Sequence, residues 1–394
     1  MTIYFVAGEV SADNHAGALM RLLRALNPDV QFVGRGGPQM QQVAGTSIKN
    51  WIDDAAVLGL WEVVRKYGYF REQFRQALVE ILEGKPDAVV LIDYPGFNLR
   101  LARALRRRSQ APKLIYYISP QVWAWNRNRI KQMARFIDLV LCIFPFEVNL
   151  YNESGLRAVF VGHPMIERLE TQKIETERNP NLVGLFPGSR FREVRKIFPV
   201  MIEAARLLLQ TKPGLRFQVA AASEALAREM SEMLRSEQSE DRRVIEITVG
   251  QTSVLMQQAW AGIVASGSAT LEAAYFQMPF VLIYKVAWVT YLAARLVVSV
   301  DYLGMPNLLA EKEVVPEFIQ HESKPVAIAT ALQSLMEDGN ARDRMISNFN
   351  SIIAKLGGAG ASQRAAQAIL EKLKEGRSPD RVAGPKTSAH WRAR

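Results

Sequence analysis

A loop with the composition of a phosphate-binding loop follows an apolar run in the second half of the chain. It contains Gly188, Ser189 and Arg190. Glycine lets a ligand approach the backbone, serine can cap a helix, and the guanidinium of arginine pairs with phosphate through parallel hydrogen bonds. The same residues are also typical of an ordinary capped helix after a buried strand, so this loop alone does not assign a site.

A second loop of this kind occurs later in the chain. Its polar and small residues are Ser266, Gly267, Ser268, Thr270 and Glu272. A helix N-terminus presents backbone N–H groups to a diphosphate, and a carboxylate one turn later can accept hydrogen bonds from the two hydroxyls of a ribose. A capped helix is again the alternative for this loop taken alone. Two such loops after strands of one domain predict a nucleotide-diphosphate site.

Asp93 ends an apolar run in the first half of the chain. A carboxylate at the end of a buried strand can act as a general base, contact a ligand or cap a helix. We expect Pro95 to hold Tyr94 extended, which keeps Asp93 outside a helix. We interpret Asp93 as the general base.

The loop after the first apolar run contains Glu9, Ser11, Asp13 and His15. Its small residues favour close approach of a ligand, and the following helix N-terminus favours an anion. A tight turn capped by Ser11 or Asp13 is the alternative. Glu9, Asp13 and His15 are also the alternative bases. The loop has no Gly-x-Gly-x-x-Gly sequence, so a dinucleotide cofactor is not predicted.

Two tryptophans occur in another short polar loop, residues 119–126. Gln121, Trp123 and Trp125 belong to it. The indoles either pack in a core or form an apolar platform for a sugar or an acyl chain.

Short apolar runs alternate with helical patterns along most of the chain. The runs are Ile3–Ala7, Val30–Gly34, Ala88–Ile92, Leu114–Ile118, Leu139–Ile143 and Val159–Gly162, then Leu182–Phe186, Phe217–Ala221, Val244–Ile247, Gly262–Ala265 and Phe280–Tyr284. Runs that are apolar on both faces are typical of buried parallel strands. The pattern predicts an α/β chain with two Rossmann-like, doubly wound domains.

The charged segment Glu170–Asn181 separates the two series of runs. We expect a first domain at residues 1–169 and a second, nucleotide-binding domain at residues 170–360. A C-terminal helix at 361–375 could pack back on the first domain. The Arg-rich residues 376–394 are expected to be a disordered tail.

The chain is basic, with 49 Lys and Arg against 39 Asp and Glu and a net charge of +10. Phosphorylated substrates and anionic lipids suit such a surface, whereas no nucleic-acid-binding signature is present.

The single Cys142 excludes an internal disulfide. No run reaches the roughly 20 apolar residues of a membrane span. The protein is expected in the cytoplasm.

The chain resembles the lipid-A-disaccharide synthase family. The matching motifs in order are Ala7-Gly8-Glu9-Val10-Ser11, Ile92-Asp93-Tyr94-Pro95-Gly96-Phe97-Asn98, Ser119-Pro120-Gln121-Val122-Trp123-Ala124-Trp125, Phe144-Pro145-Phe146-Glu147, Gly162-His163-Pro164, Pro187-Gly188-Ser189-Arg190, Ser266-Gly267-Ser268-Ala269-Thr270-Leu271-Glu272 and Pro306-Asn307-Leu308-Leu309. The resemblance covers roughly residues 1–370. It adds Asn98, His163 and Asn307 to the candidate substrate contacts.

The resemblance implies a GT-B fold, in which two Rossmann-like domains face a cleft, and an inverting sugar transfer. The domain at 1–169 would hold the acceptor and the membrane side, and the domain at 170–360 would bind the UDP-sugar. The donor would be UDP-2,3-diacylglucosamine and the acceptor 2,3-diacylglucosamine 1-phosphate. We expect Arg190 and the amides of Gly267 and Ser268 to stabilise the leaving UDP. The chain has no Asp-x-Asp sequence, so neither a metal nor a cofactor is predicted.

The chain departs from the family pattern at two positions. Ala12 stands where the family usually has glycine, and Gly96 stands where many members have a second aspartate.

Other UDP-N-acetylglucosamine enzymes of the same fold, such as the peptidoglycan glycosyltransferase or the 2-epimerase, share the nucleotide loops. A non-catalytic nucleotide- or lipid-binding relative is the remaining alternative.

Acylated substrates require an enzyme that works at a membrane surface. The apolar segment 55–67 contains Leu60, Trp61, Val63 and Val64 and ends in basic residues. Such a segment suits an anionic bilayer. Residues 288–297 form a second candidate, with a buried helix as the alternative for either segment. We expect peripheral attachment to the inner face of the inner membrane, and the sequence leaves the oligomeric state open.

Overall fold

The computed structural model describes residues 1–52, 67–108, 110–120, 128–236, 244–286 and 301–375. Some predicted residues lie outside this part of the chain: Leu60, Trp61, Val63 and Val64; Gln121, Trp123 and Trp125; the segment 288–297; and the tail 376–394. The described residues divide into two compact units. The first contains residues up to Pro164 together with those from Gly360 onward, and the second contains Met165–Ala359.

The first unit begins with alternating strands and helices. These are β1 (Thr2–Ala7), α1 (Val10–Leu26), β2 (Gln31–Gly36), α2 (Pro38–Ala44), β3 (Ile48–Asn50), α3 (Tyr67–Gly84), β4 (Ala88–Ile92), α4 (Pro95–Arg106), β5 (Lys113–Tyr117), α5 (Asn128–Met133), β6 (Leu139–Cys142), α6 (Pro145–Glu153) and β7 (Ala158–Phe160).

The alternation continues through the second unit. Its elements are α7 (Met165–Glu170), β8 (Asn179–Phe186), α8 (Phe191–Thr211), β9 (Arg216–Ala221), α9 (Glu224–Ser236), β10 (Ile245–Val249), α10 (Thr252–Gln258), β11 (Ala259–Ala265), α11 (Ser268–Tyr275), β12 (Phe280–Tyr284), α12 (Met305–Ala310), β13 (Glu317–Ile319), α13 (Pro325–Glu337) and α14 (Gly339–Lys355). The last helix, α15 (Ala361–Lys374), belongs to the first unit.

The strands of the first unit form one parallel sheet in the order β3-β2-β1-β4-β5-β6-β7. Sequence order reverses between β1 and β4, which pair with Ala7 opposite Ile92. In an open α/β sheet, such a switch point forms a crevice at the carboxyl ends of the strands. The residues that follow Ala7 and Ile92 therefore emerge side by side at this crevice.

Both faces of this sheet are buried. In β4, Val89 and Leu91 pack into one apolar cluster, and Val90 and Ile92 pack into the other. The second cluster also contains Ala365, Ala366 and Ile369 of α15. Burial on both sides explains why these strands are apolar throughout rather than alternating, and the last helix of the chain completes the core of the first unit.

The second unit contains a parallel sheet in the order β10-β9-β8-β11-β12-β13. Its switch point lies between β8 and β11, which pair with Phe186 opposite Val264. Two parallel sheets with interleaved helices confirm the prediction of a doubly wound α/β chain. No helix within the described ranges is long and apolar enough to cross a bilayer.

Three local expectations were wrong. The loop after the first strand is short, because α1 begins at Val10, so that Ser11, Asp13 and His15 belong to this helix and not to the loop. Tyr94 is left-handed, with φ 48° and ψ 54°, instead of extended, although Pro95 does begin a helix. The three-residue edge strands β3 and β13 were missed, since they are too short to show a pattern.

Candidate active site

A pocket of about 460 Å³ opens at the carboxyl ends of the strands in the second unit. It is lined by Gly188, Ser189 and Arg190 after β8, and by Ser266, Gly267, Ser268 and Glu272 after β11. The two loops that the sequence singled out therefore meet at the switch point of the sheet, where open α/β sheets bind ligands. The volume falls in the range of small-molecule sites, roughly 300–1,000 Å³.

The first loop of this pocket depends on a glycine. Gly188 has a φ of 103°, and a Cβ at this position would lie 3.0 Å from Glu193 Oε2. Arg190 lies at the cap position of α8 and is exposed, and its Nη1 is 2.9 Å from Glu193 Oε1. An exposed ion pair contributes at most about 1 kcal/mol. A phosphate can therefore replace Glu193 as the partner of Arg190.

The second loop also has an open glycine. Gly267 is exposed with a φ of 151°, and a Cβ there would meet nothing within 4 Å. Thr270 is buried, and its Oγ1 donates a hydrogen bond of 2.7 Å to the carbonyl of Gly267. Thr270 thus braces the loop, while the first amides of α11 lack intrahelical acceptors and are suited to an anion.

Arg168 and Glu193 line the same pocket, and neither was predicted. Arg168 belongs to α7, and its Nη2 lies 2.7 Å from Glu272 Oε1. No sequence motif marks Arg168, because α7 is far from Glu272 in the sequence. The fold brings the two side chains together at the pocket. Glu193 could have been suspected from its position three residues after Arg190.

Asn307 is fully buried and makes hydrogen bonds on both sides of its amide. Its Nδ2 donates to the carbonyl of Val315 and to Glu317 Oε1, each at 2.8 Å. Its Oδ1 accepts from the amides of Val314 and Val315. These contacts give Asn307 a role in holding α12 against the strand that follows.

The first unit has a second site at the carboxyl ends of β1 and β4. Asp93 and Tyr94 both have left-handed backbones, with φ of 45° and 48°. Such a conformation costs of order 1–3 kcal/mol for a residue with a side chain. The buried Asn98 opposes this strain, since its Nδ2 donates to the carbonyls of Ile92 and Asp93 at 3.2 and 2.8 Å. The Tyr116 hydroxyl also donates to the Asp93 carbonyl.

The side chain of Asp93 lies close to Glu9, the residue at the cap position of α1. Burial, together with the charge of Glu9, raises the pKa of Asp93 to about 6. Ser11 Oγ donates to Glu9 Oε1 at 2.6 Å. A carboxylate with a pKa near neutral pH is well matched to general-base catalysis.

Asp13 is buried and accepts three backbone hydrogen bonds. The amides of Gly37, Gln39 and Met40 lie 2.8, 2.9 and 3.1 Å from its carboxylate oxygens. Asp13 therefore caps the N-terminus of α2 from a neighbouring helix. Its neighbour Ala12 is 1% exposed, so its methyl group packs in the apolar core.

Two glycines near Asp93 differ in their surroundings. A Cβ at Gly8 would lie 2.5 Å from the ring of Tyr94, so that ring requires a glycine beneath it. A Cβ at Gly96 would meet nothing within 4 Å. The structure therefore has room for the second aspartate that many family members carry at this position.

His163 is half-buried, with its ring centroid 5.3 Å from that of Phe144. Phe144 begins the turn into α6, where the fully buried Glu147 accepts a hydrogen bond from the Phe144 amide. His163 and Phe144 belong to the first unit, whereas the nucleotide loops belong to the second. In the described part of the chain, no three His, Cys, Asp or Glu side chains group as a metal site.

The chain matches the family described as lipid-A-disaccharide synthetase over residues 3–371. It is 36% identical over 383 residues to the lipid-A-disaccharide synthase of Trichlorobacter lovleyi, covering 95% of this chain and 98% of that protein. It is 35% identical over 384 residues to the lipid-A-disaccharide synthase of Myxococcus xanthus, with the same coverage.

Solved structures share the fold at low identity. The UDP-GlcNAc 2-epimerase of Neisseria meningitidis, bound to UDP-GlcNAc, has a TM-score of 0.57 and 15% identity over 94% of this chain and 100% of that chain. The MurG protein of Acinetobacter baumannii has a TM-score of 0.56 and 14% identity over 94% and 99%. These likenesses identify the GT-B fold.

Proposed function

Because this chain belongs to the lipid-A-disaccharide synthetase family, we infer that it is a glycosyltransferase that joins two acylated glucosamine units. The donor is UDP-2,3-diacylglucosamine and the acceptor is 2,3-diacylglucosamine 1-phosphate. The products are a β-1,6-linked disaccharide 1-phosphate and UDP. The match over residues 3–371, which includes both candidate sites, is the observation that carries this conclusion.

We propose that the pocket of the second unit binds the UDP part of the donor. The open backbone at Gly267 and the first turn of α11 receive the diphosphate, and Arg190 exchanges Glu193 for a phosphate oxygen. Glu272 accepts hydrogen bonds from the ribose. As the bond between the sugar and the diphosphate breaks, these donors stabilise the charge that develops on UDP.

We propose that Asp93 is the general base. It takes the proton from the acceptor 6-hydroxyl while that oxygen attacks the anomeric carbon of the donor. UDP leaves from the opposite face with the electron pair of the broken bond, so the configuration inverts. Asn98 and Tyr116 hold the strained backbone of Asp93. Burial, together with the charge of Glu9, raises the pKa of Asp93 toward neutral pH.

We propose that a basic surface on α4 and α5 contacts an anionic membrane. Arg103 of α4 donates to Gln132 of α5 at 2.7 Å, so the two helices lie side by side. The exposed cations of this surface are Arg100, Arg103, Arg107, Arg108, Lys131 and Arg135. The sequence has no Asp or Glu between Asp93 and Asp138. A surface of one sign suits anionic lipid, and the apolar residues Leu60, Trp61, Val63 and Val64 would add a second contact.

Acceptor-dependent release of UDP tests the proposed reaction. Purified protein with donor and acceptor should release UDP, and omission of the acceptor should abolish most of this release. Addition of EDTA should leave the rate unchanged. UDP release that does not depend on acceptor would identify a hydrolase instead, and conversion of the donor to its C2 epimer would identify an epimerase.

A further inference from the structure

Arg168 and Glu272 form an ion pair on the wall of the nucleotide pocket. Arg168 Nη2 is 2.7 Å from Glu272 Oε1, with the arginine side chain 50% exposed and the glutamate 14% exposed. Oε2 of Glu272 has no hydrogen-bond partner within the described residues. The guanidinium thus occupies one oxygen of a mostly buried carboxylate that lines the pocket, while the other oxygen can accept a bond from a ligand.

The segment that carries Arg168 is fixed to the helix that carries Glu272. Glu170 of α7 accepts a hydrogen bond from the hydroxyl of Tyr275 at the end of α11. Lys173 lies 2.9 Å from Glu170 and 5.2 Å above the Tyr275 ring. These contacts connect the segment after α7 to α11 beside the pair of Arg168 and Glu272.

A fixed carboxylate recognises a ribose better than a mobile one. A glutamate side chain has several rotamers, and a bound sugar must select one of them at a cost in conformational entropy. A charge-assisted hydrogen bond to an arginine selects the rotamer before the ligand arrives.

We propose that Arg168 is a positioning residue for ribose recognition, which holds Glu272 so that Oε2 accepts a hydrogen bond from the 2′-hydroxyl of the nucleotide ribose. This inference rests on the proposed nucleotide site. In this proposal Arg168 determines the binding preference for ribose over deoxyribose, and it does not bind the diphosphate.

Calorimetry with UDP, 2′-deoxy-UDP and UMP tests the inference. Because a hydrogen bond to a charged group is strong, wild-type protein should prefer UDP over 2′-deoxy-UDP by at least roughly tenfold. Arg168→Gln should lose most of this preference, while its preference for UDP over UMP stays as in the wild type. Arg168→Lys, which keeps a charged donor, should restore part of the ribose preference.

Two control variants separate this role from others. Lys173→Gln weakens the same contacts with Glu170 and Tyr275 without changing the partner of Glu272. This variant should keep the ribose preference. Arg190→Gln should weaken UDP binding and also keep that preference. An unchanged ribose preference in Arg168→Gln, or a loss of the preference for UDP over UMP, would overturn the inference. Wild-type protein that binds no UDP would instead refute the proposed function.

Discussion

The carboxyl groups of Glu9 and Asp93 lie beside each other at the carboxyl ends of two neighbouring strands. The pairing of Ala7 with Ile92 places these two carboxyl groups together at the switch point of the first sheet. A buried carboxyl beside a second carboxyl retains its proton to a higher pH than an isolated one. Burial and the neighbouring Glu9 together raise the pKa of Asp93 toward the range that suits a general base.

The pH dependence of the reaction should report this pair. Asp93 must be unprotonated to act as a base, so kcat/KM should fall as the pH falls through about 6, the value to which its pKa is raised. Glu9→Gln removes the neighbouring negative charge, which lowers the pKa of Asp93 and moves the acidic limb to lower pH. A pH–rate profile of both proteins provides the measurement. An acidic limb that stays in place, or moves to higher pH, would contradict the assignment.

Asp13→Asn should reduce stability more than it reduces the chemical step. The three amide hydrogen bonds to its carboxylate would be replaced by weaker ones, and one amide would face an NH₂ group. Urea denaturation should show a loss of about 2 kcal/mol. The exposed Asp29→Asn is the matched control and should change stability by less than about 0.5 kcal/mol. A stable Asp13→Asn protein with a large loss of kcat would make Asp13 the base.

UDP should bind the second unit in the presence of EDTA. Arg190→Ala and Glu272→Ala should each weaken binding by roughly tenfold or more, since each removes a hydrogen bond to a charged group. Arg192 is exposed two residues further on and does not line the pocket, so Arg192→Ala is the control. Calorimetry measures all three. Unchanged affinity in both pocket variants would refute the assignment of the donor site.

Vesicle sedimentation should detect the basic surface on α4 and α5. The variant with Arg107, Lys131 and Arg135 all changed to Gln should bind anionic vesicles at least roughly tenfold more weakly, because each cation near the surface contributes about 1 kcal/mol. Salt should weaken wild-type binding. The exposed Arg216, Arg228 and Lys312 changed to Gln give a control of equal charge. Equal losses in the two triple variants would show that net charge, not this surface, controls attachment.

The alternation of buried strands and helices was predictable from sequence because both faces of each sheet are covered. The early start of α1 was not predictable in the same way. Val10, Ser11 and Ala12 follow Gly8 and Glu9 and have the composition of a loop, whereas in the structure they form the first turn of α1, next to Asp13 with its hydrogen bonds to α2. The left-handed backbone of Tyr94 adjoins the Asp93 carbonyl, which accepts hydrogen bonds from Asn98 in the next helix and from Tyr116 on the neighbouring strand.

The nucleotide loops could be found from sequence because glycine and small residues at a strand end let a ligand approach the backbone, which is a local property. The roles of polar residues within the motifs could not be separated by type alone. Thr270 donates to the backbone, and Asn307 bonds to the backbone and to Glu317, whereas Oε2 of Glu272 has no hydrogen-bond partner within the described residues. Arg168 lies outside every motif, and its contact with Glu272 appears once the chain is folded.

Mass spectrometry of the products formed by wild-type protein and by Asp93→Asn tests the central claim most directly. Wild-type protein with UDP-2,3-diacylglucosamine and 2,3-diacylglucosamine 1-phosphate should form the disaccharide 1-phosphate. Asp93→Asn should fold and bind UDP normally yet form it at least roughly a hundredfold more slowly, because a general base contributes about 10² to 10⁴ in rate. Absence of the disaccharide with wild-type protein, or a near-normal rate in Asp93→Asn, would contradict this account.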